Sequence, residues 1–238
     1  MDDTTPPQDP GATAPVTHIY VLLDRSGSME AIRDDVIGGL NAFVAEQRAD
    51  GDDARVTLVQ FDSQDPDEVV VEDVPIAEAP LLTRETFAPR GATPLLDATG
   101  LLVARAQERA TERKLAGITE AVTIVTVTDG HENASVEFTR DDVRALVEKR
   151  EQEGWVFVFL SAGLDAYDEA HGFGYAPGAV QSWAADAGGA DLAFTSLSSS
   201  MKDLRRKRRR HLAAPSSQFF ESGKPAEQDR SRKRSDRR

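Results

Sequence analysis

The 238-residue chain contains no cysteine. It can therefore form no disulfide, and it offers no thiolate ligand for zinc or an iron–sulfur cluster. Long apolar runs are also missing: the longest, from Trp155 to Leu160, is of strand length, whereas a membrane-spanning helix needs about twenty residues. The amino terminus is acidic and proline-rich, unlike a secretory signal. We therefore expect a cytoplasmic protein with no membrane partner.

Basic side chains are scarce in most of the chain and concentrated at its end. Residues 1–201 carry 36 acidic and 14 basic side chains, a net charge of −22, whereas residues 202–238 carry 5 acidic and 14 basic ones, a net charge of +9. An acidic body attracts cations and repels nucleic acid, and a basic segment does the reverse. The basic segment is compatible with nucleic-acid binding, docking on an acidic partner, folding back onto the acidic body, or solubility. It lacks the interleaved aromatic residues of a nucleic-acid platform, which disfavours nucleic-acid binding.

Composition divides the chain into three segments. Residues 1–16 contain four prolines and almost no large apolar side chains, so we predict a disordered leader. Residues 17–201 have the size and apolar content of one folded domain. Residues 202–238 are predicted to form a basic, largely disordered tail, although residues 199–210 are also compatible with the continuation of a helix.

Strand-like apolar runs alternate with amphipathic, helix-like segments through the central region. The predicted strands cover residues 17–24, 54–62, 68–74, 121–128 and 155–161, with a weak final strand near Leu192 to Phe194. Asp65 and Pro66 mark a turn between the second and third strands, which predicts an antiparallel hairpin at the sheet edge. The alternation predicts an α/β, Rossmann-like domain: an open, mostly parallel sheet with one antiparallel edge strand and helices on both faces.

Oxygen-bearing side chains stand at three strand-to-helix transitions. Asp24, Ser26 and Ser28 follow the first strand, Thr93 precedes a helix, and Asp129 follows a later apolar strand. Loops at the carboxyl ends of neighbouring parallel strands converge on one crevice. Carboxylate and hydroxyl oxygens suit a small, hard cation. These five residues are therefore predicted to hold Mg²⁺ or Mn²⁺.

The DxSxS turn at residues 24–28, the GxTPL segment at 91–95 and the TDG at 128–130 together resemble the von Willebrand factor A (VWA) family and its metal-ion-dependent adhesion site (MIDAS). The resemblance runs from about Thr17 to about Ala193. Residues 129–135 and 154–160 look like a bacterial intracellular subgroup of stand-alone VWA proteins.

The resemblance assigns a role to each residue of the predicted cluster. It implies that Ser26 and Ser28 bind the ion directly, that Thr93 and Asp129 bind it directly or through water, and that Asp24 anchors the site and orients its waters. It also implies a non-catalytic interaction module in which an Asp or Glu of a protein partner completes the coordination of the ion. No small-molecule substrate is expected.

Three further hypotheses stay open, two for the five predicted ligands and one for the basic tail. Ser, Thr and Asp are common helix caps, so unrelated caps would also supply them. A haloacid-dehalogenase-like, Mg²⁺-dependent phosphohydrolase begins with an aspartate at the same place, but it needs a second aspartate two positions on, where this chain has Ser26. A nucleic-acid-associated protein would act through the basic tail.

Three further polar residues are expected to lie near the metal site without being among its five predicted ligands. His131 and Glu132 are expected at the rim of the metal site, where His131 is either a solvated loop residue or tunes what approaches the ion. Asp62, at the end of the second strand, is expected to cap a loop rather than to bind the ion.

Overall fold

The computed structural model describes residues 14–162, 166–184 and 187–220. Its strands form one six-stranded sheet in the spatial order β3-β2-β1-β4-β5-β6. They are β1 (Val16–Asp24), β2 (Ala54–Asp62), β3 (Asp65–Pro75), β4 (Glu120–Thr128), β5 (Val156–Ser161) and β6 (Val180–Ser182). All neighbouring pairs are parallel except β2 and β3, which are antiparallel. The predicted open, mostly parallel sheet with one antiparallel edge strand is confirmed.

Helices cover both faces of the sheet, as predicted. Within the described ranges they are α1 (Arg33–Ala49), α2 (Leu95–Leu115), α3 (Arg140–Gln152), α4 (Ala166–Gly172) and α5 (Ala187–Arg209). Two buried apolar clusters flank the sheet, and successive residues of β1 alternate between them. Val21 and Leu23 belong to the cluster with α1 and α5, whereas Tyr20 and Leu22 belong to the cluster with α2 and α3. Burial on both faces explains why the sequence of this strand is almost continuously apolar.

The bounds of the elements agree with the sequence wherever the apolar pattern is long. β2 covers the predicted residues, and β1, β4 and β5 differ from prediction by one residue at one end. β3 is longer than predicted, because its ends continue to pair with β2 at Asp65 and Pro75.

The weak final strand predicted near Leu192 to Phe194 is wrong, because these residues lie in helix α5. The last strand of the sheet is instead the three-residue β6, which pairs with β5. One row of buried apolar residues on α5 recurs every three or four positions, as a helix packed on α1 requires: Ala190, Ala193, Leu197, Met201 and Leu204. Gly39 of α1 lets the helices approach closely, since a Cβ there would lie 2.1 Å from the Phe194 ring.

Helix α5 continues to Arg209, so the domain boundary predicted at residue 201 falls inside it. Arg205 is fully buried and donates to two backbone carbonyls at the end of α1 and to Asp53. Arg208 donates to two carbonyls of β4, and burial lowers its pKa to about 9. This part of the basic segment therefore folds back onto the acidic body.

The segment after α5 also packs on the domain, although the sequence predicts a largely disordered tail over residues 202–238. Phe219 and Phe220 are buried, and Ser216 Oγ accepts a hydrogen bond from the N–H of Phe157 at 3.1 Å. Phe157 precedes the residues of β5 that pair with β6, so this segment covers an otherwise open part of the sheet edge. The rest of the predicted tail, and the leader up to residue 13, lie outside the described residues. None of the described helices combines the length and apolar character that crossing a bilayer requires.

Candidate metal centre

The turn after β1 carries three of the predicted ligands. Asp24, the last residue of β1, is fully buried, and its Oδ1 accepts a hydrogen bond from the N–H of Ser26 at 2.7 Å. Ser26 Oγ and Ser28 Oγ lie 3.1 Å apart. Ser26 is buried and Ser28 is exposed, so the row of oxygens leads from the end of the strand to the surface.

The neighbouring strand β4 supplies the second loop. Thr128, its last residue, donates its hydroxyl hydrogen to Asp24 Oδ2 at 2.6 Å. Its Oγ1 also accepts a hydrogen bond from the N–H of Gly130 at 3.1 Å, which shapes the turn. On the outer side, Ser28 Oγ donates to Asp129 Oδ1 at 2.7 Å. Two loops that are far apart in sequence are thus joined by hydrogen bonds between hydroxyls and carboxylates.

Thr93 comes from the third loop, just before α2. A Cβ built on Gly130 would lie 3.2 Å from Thr93 Oγ1, 3.7 Å from Ser28 Oγ and 3.9 Å from Asp24 Oδ2. Oxygen atoms of the first and third loops therefore surround a single point beside Gly130 of the second loop. Together with the Ser26–Ser28 and Ser28–Asp129 contacts, this brings all five predicted site residues into one cluster at the carboxyl end of the sheet.

A buried carboxylate, Asp62, fixes the third loop against the first. Arg25 Nε and Arg90 Nε both donate to Asp62 Oδ2, at 2.9 and 2.8 Å, and the N–H of Gly27 donates to the carbonyl of Gly91 at 3.1 Å. Asp62 also accepts a hydrogen bond from the backbone N–H two residues further on, as expected of a loop cap. Burial alone would raise the pKa of this carboxyl, but hydrogen bonds and charge from the two arginines lower it.

The loop after β4 is held by its own polar contacts. Glu132 accepts hydrogen bonds from the N–H groups two and three residues ahead of it, so it shapes the loop. Asn133 Oδ1 accepts a hydrogen bond from the N–H of Thr93 at 2.9 Å, and the N–H of Asn133 donates to the Thr93 carbonyl at 3.1 Å. His131 is exposed, with Nδ1 3.3 Å from Glu169 Oε2. These contacts fix the backbone of Thr93 beside the end of β4.

Burial acts on both carboxylates of the cluster, Asp24 and Asp129. Burial raises the pKa of Asp24 from 3.8 to about 6, although hydrogen bonds from Thr128 and Ser26 oppose the change. Burial also raises the pKa of Asp129, against the hydrogen bond from Ser28. Among the described residues, no arginine, lysine or histidine makes an ion pair with either carboxylate. A bound cation would supply the missing positive charge.

The donor set fits a small, hard cation. It offers carboxylate and hydroxyl oxygens and no imidazole or thiolate, which is the chemistry that Mg²⁺ and Mn²⁺ prefer. Across residues 14–162, 166–184 and 187–220 there is no group of three or more His, Cys, Asp or Glu side chains placed to hold a metal ion. A metal site at this end of the sheet must therefore use the hydroxyl oxygens of Ser26, Ser28 and Thr93.

Sequence reasoning missed two contributors to the cluster. Thr128 holds the Asp24 carboxylate, and Gly130 leaves the space between the three loops. Both flank Asp129 in the TDG segment. Their position on either side of a predicted ligand is the feature of the sequence that could have indicated them.

Several solved structures share this architecture. The SpaC pilus adhesin of Lactobacillus rhamnosus GG, in its open conformation, matches with a TM-score of 0.59 and 14% identity, over 82% of this chain and 30% of that chain. The manganese-loaded TRAP protein of Plasmodium vivax matches with a TM-score of 0.51 and 15% identity, over 76% of this chain and 73% of that chain. The SpRpn10 VWA domain matches with a TM-score of 0.50 and 13% identity, over 76% of this chain and 94% of that chain.

At these identities the likeness establishes the fold, which is a VWA-like α/β fold. The chain spans less than a third of the length of the two SpaC structures, 31% and 30%. No protein-family model and no curated protein matches the sequence.

Proposed function

We propose that this protein is a divalent-metal-dependent, non-catalytic interaction module whose MIDAS-type site binds an acidic side chain of a protein partner. The observation that carries the proposal is the convergence of Asp24 and Ser28, from the loop after β1, and Thr93, from the loop before α2, around one point beside Gly130 of the loop after β4. The VWA-like fold supports it, since the SpRpn10 VWA domain shares that fold and the TRAP neighbour is manganese-loaded.

Each residue has a distinct role in the proposed site. Ser26 and Ser28 bind Mg²⁺ or Mn²⁺ through their hydroxyl oxygens, and Thr93 and Asp129 bind it directly or through water. Asp24 anchors the turn and orients the waters around the ion. The hydrogen bonds that both oxygens of Asp24 already accept support this anchoring role.

The ion supplies a Lewis-acidic position that attracts a carboxylate. Because the hydroxyl ligands Ser26, Ser28 and Thr93 are neutral, they leave much of the positive charge of the ion uncancelled. An aspartate or glutamate of the partner is therefore the natural remaining ligand. The acidic body of the domain, at −22 for residues 1–201, favours cations and disfavours polyanions such as nucleic acid.

The absence of turnover is part of the proposal. A haloacid-dehalogenase-like phosphohydrolase needs an aspartate at position 26, where this chain has a serine in contact with Ser28 Oγ. The cytoplasmic location, and the likeness of the sequence to bacterial stand-alone VWA proteins, stay predictions.

Calorimetry with Mg²⁺ and Mn²⁺ tests the site. The wild-type chain should bind one ion, and a Ser26→Ala, Ser28→Ala double variant should lose that binding while keeping its circular dichroism spectrum. Ser199→Ala, at an exposed position of α5, is the matched control and should bind as the wild type does. Unchanged ion binding in the double variant would contradict the proposed site.

Affinity capture tests the partner. A partner should bind the wild-type chain in the presence of Mg²⁺ and should be released by metal-free buffer. The double variant should not retain it. If the wild-type chain hydrolysed a generic phosphate ester and Asp24→Asn did not, the protein would be a phosphohydrolase and the proposal would be wrong.

A further inference from the structure

A second polar site lies at the other end of the sheet from the metal centre. It is a cavity of about 410 Å³ between the carboxyl-terminal half of α2 and the strands β1, β2 and β3. Tyr20 and His18 of β1 form part of its floor, and Arg55 and Thr57 of β2 continue it. Tyr20 precedes Asp24 by four residues of extended strand, which separates the cavity from the metal centre by about 13 Å. The cavity is therefore independent of the proposed cation site.

Two buried hydrogen-bond donors line this cavity without a partner in the described part of the chain: the Tyr20 hydroxyl and Arg105 Nε. Tyr20 is only 1% exposed, and its ring stacks on His18 with the ring centroids 4.0 Å apart. His18 itself is fully engaged, since Nδ1 lies 2.7 Å from Glu120 Oε1 and Nε2 lies 2.9 Å from Thr57 Oγ1. An unpartnered buried donor destabilises the protein, and a hydrogen-bond acceptor from a ligand would remove that cost.

The guanidinium groups around the cavity are paired with carboxylates. Asp73 accepts hydrogen bonds from Arg55, Arg109 and Arg113, and the buried Glu120 carboxylate lies 2.9 Å from Arg113 Nε. Burial, together with the nearby carboxylates, raises the pKa of the Tyr20 hydroxyl, which stays protonated and able to donate. Among the described residues that line the cavity, the Tyr20 hydroxyl and Arg105 Nε are therefore the donors that remain for a ligand.

The mouth of the cavity is acidic. The glutamates that line it are exposed: Glu72, Glu108 and Glu112. This acidic rim repels large polyanions such as nucleic acid, whereas a small anion can still reach the guanidinium groups inside.

The backbone at Asp73 is held in an unusual conformation. Its φ is +47°, in the left-handed region that residues other than glycine seldom adopt, and it lies beside a register shift in the pairing of β2 with β3. The N–H of Asp73 donates to Thr57 Oγ1 at 3.0 Å. Bulges and strained residues of this kind are concentrated at binding sites, where they orient a side chain.

We propose that this cavity binds a small oxyanion, a carboxylate or phosphate group, through the Tyr20 hydroxyl and the guanidinium groups of Arg105 and Arg109. Arg105 already donates to Asp67 and Glu72 through its terminal nitrogens, which leaves Nε for the ligand. Arg109 is half-exposed at the entrance and can approach an incoming anion. The ligand supplies acceptors for the Tyr20 hydroxyl and Arg105 Nε.

Titration calorimetry with inorganic phosphate, and separately with citrate, tests the proposal. The parent protein for these titrations is the Asp24→Asn variant in buffer free of divalent metal, so that neither anion can bind through the cation site. We expect saturable binding of one anion per chain and about a tenfold weaker affinity in Tyr20→Phe, which loses only the hydroxyl. Tyr167→Phe, at a partly exposed tyrosine on α4, is the matched control and should bind as the parent does.

The two anions distinguish the two sources of the oxyanion, since preferential binding of phosphate or of citrate identifies the group for which the cavity is shaped. Arg109→Gln gives an independent variant at a half-exposed position and should weaken the same anion. Binding of neither anion, or equal affinity in the parent, Tyr20→Phe and Arg109→Gln, would overturn the proposal.

Discussion

Thr128 donates its hydroxyl hydrogen to Asp24 Oδ2 at 2.6 Å, so a residue outside the predicted ligand set holds the carboxylate at the base of the cluster. Thr128→Val keeps the shape of the side chain and removes the donor. We expect Mg²⁺ affinity to fall by about 10–100-fold, as is typical when a supporting hydrogen bond to a metal site is lost. Calorimetry measures the loss, with Thr111→Val on the exposed face of α2 as the control. Equal affinity in both variants would show that Thr128 does not support the site.

Gly130 gives a second test of the cluster, since it lies in the loop after β4 beside oxygens of the other two loops and its φ is not in the left-handed region. In Gly130→Ala the new Cβ would lie 3.2 Å from Thr93 Oγ1 and would occupy the space among the oxygens. We expect weaker Mg²⁺ binding with a change of less than about 1 kcal/mol in the free energy of unfolding. Gly38→Ala, where a Cβ meets nothing within 4 Å in α1, should leave Mg²⁺ binding unchanged and stabilise the fold by about 0.5–1 kcal/mol. A Gly130→Ala variant with the Mg²⁺ affinity of wild type would mean that the ion does not occupy this space.

Most of the fold and the predicted cluster can be obtained from the sequence because both depend on local pattern. β1 and β4 are marked by apolar runs, and Asp24 and Asp129 stand at or directly after their ends. Parallel strands place such residues at one edge, so the pattern carries the three-dimensional arrangement. The roles of Thr128 and Gly130 depend instead on distances across the sheet, which no spacing along the chain encodes.

The carboxyl-terminal region departs from its prediction for a physical reason. A run of arginines normally indicates solvated surface, yet Arg205 is buried because carbonyl groups at the end of α1 and the Asp53 carboxylate surround its guanidinium. Those partners lie about 150 residues earlier in the chain. The residues around Phe194 resemble a strand when only the local pattern is considered. They lie in a helix that packs on α1, where Gly39 leaves space for the Phe194 ring, and this partner is equally distant in sequence.

The buried arginine leads to a prediction about stability. Arg205→Gln should lower the free energy of unfolding by about 3 kcal/mol, because it leaves carbonyls and Asp53 without their buried donor. Arg206→Gln, one residue further on and 61% exposed, should change it by no more than about 0.5 kcal/mol. Urea unfolding of the two variants measures the difference. If both variants were as stable as wild type, the basic segment would not be part of the folded domain.

Two buried tyrosines provide a matched pair. Tyr175 has a partner for its hydroxyl, Thr126 Oγ1 at 3.0 Å, whereas the Tyr20 hydroxyl has none among the residues described. In anion-free buffer, Tyr175→Phe should destabilise the fold by about 1–2 kcal/mol, and Tyr20→Phe should be neutral or stabilising by up to about 1 kcal/mol. Thermal unfolding compares them directly. A clear loss of stability in Tyr20→Phe would reveal a partner for that hydroxyl in the free protein.

Asp73 predicts how acid acts on the fold. Burial alone would raise the pKa of this carboxyl, but hydrogen bonds from Arg55 and Arg109 lower it from 3.8 to about 2. Since the unfolded chain takes up this proton at a higher pH than the folded chain does, the ion pairs stabilise the fold above about pH 4. That contribution, about 2 kcal/mol, is lost as the pH falls from about 4 to about 2.

Asp73→Asn tests this pH dependence, because asparagine tolerates the left-handed backbone at this position. At pH 6 the variant should be less stable than wild type by about 2 kcal/mol, and the difference should shrink towards zero near pH 2. Urea unfolding across this range measures it, and Asp52→Asn, at an exposed position before β2, controls for the loss of one negative charge. A stability difference that stayed constant from pH 6 to pH 2 would mean that Asp73 acts through its hydrogen bonds alone and not through its charge.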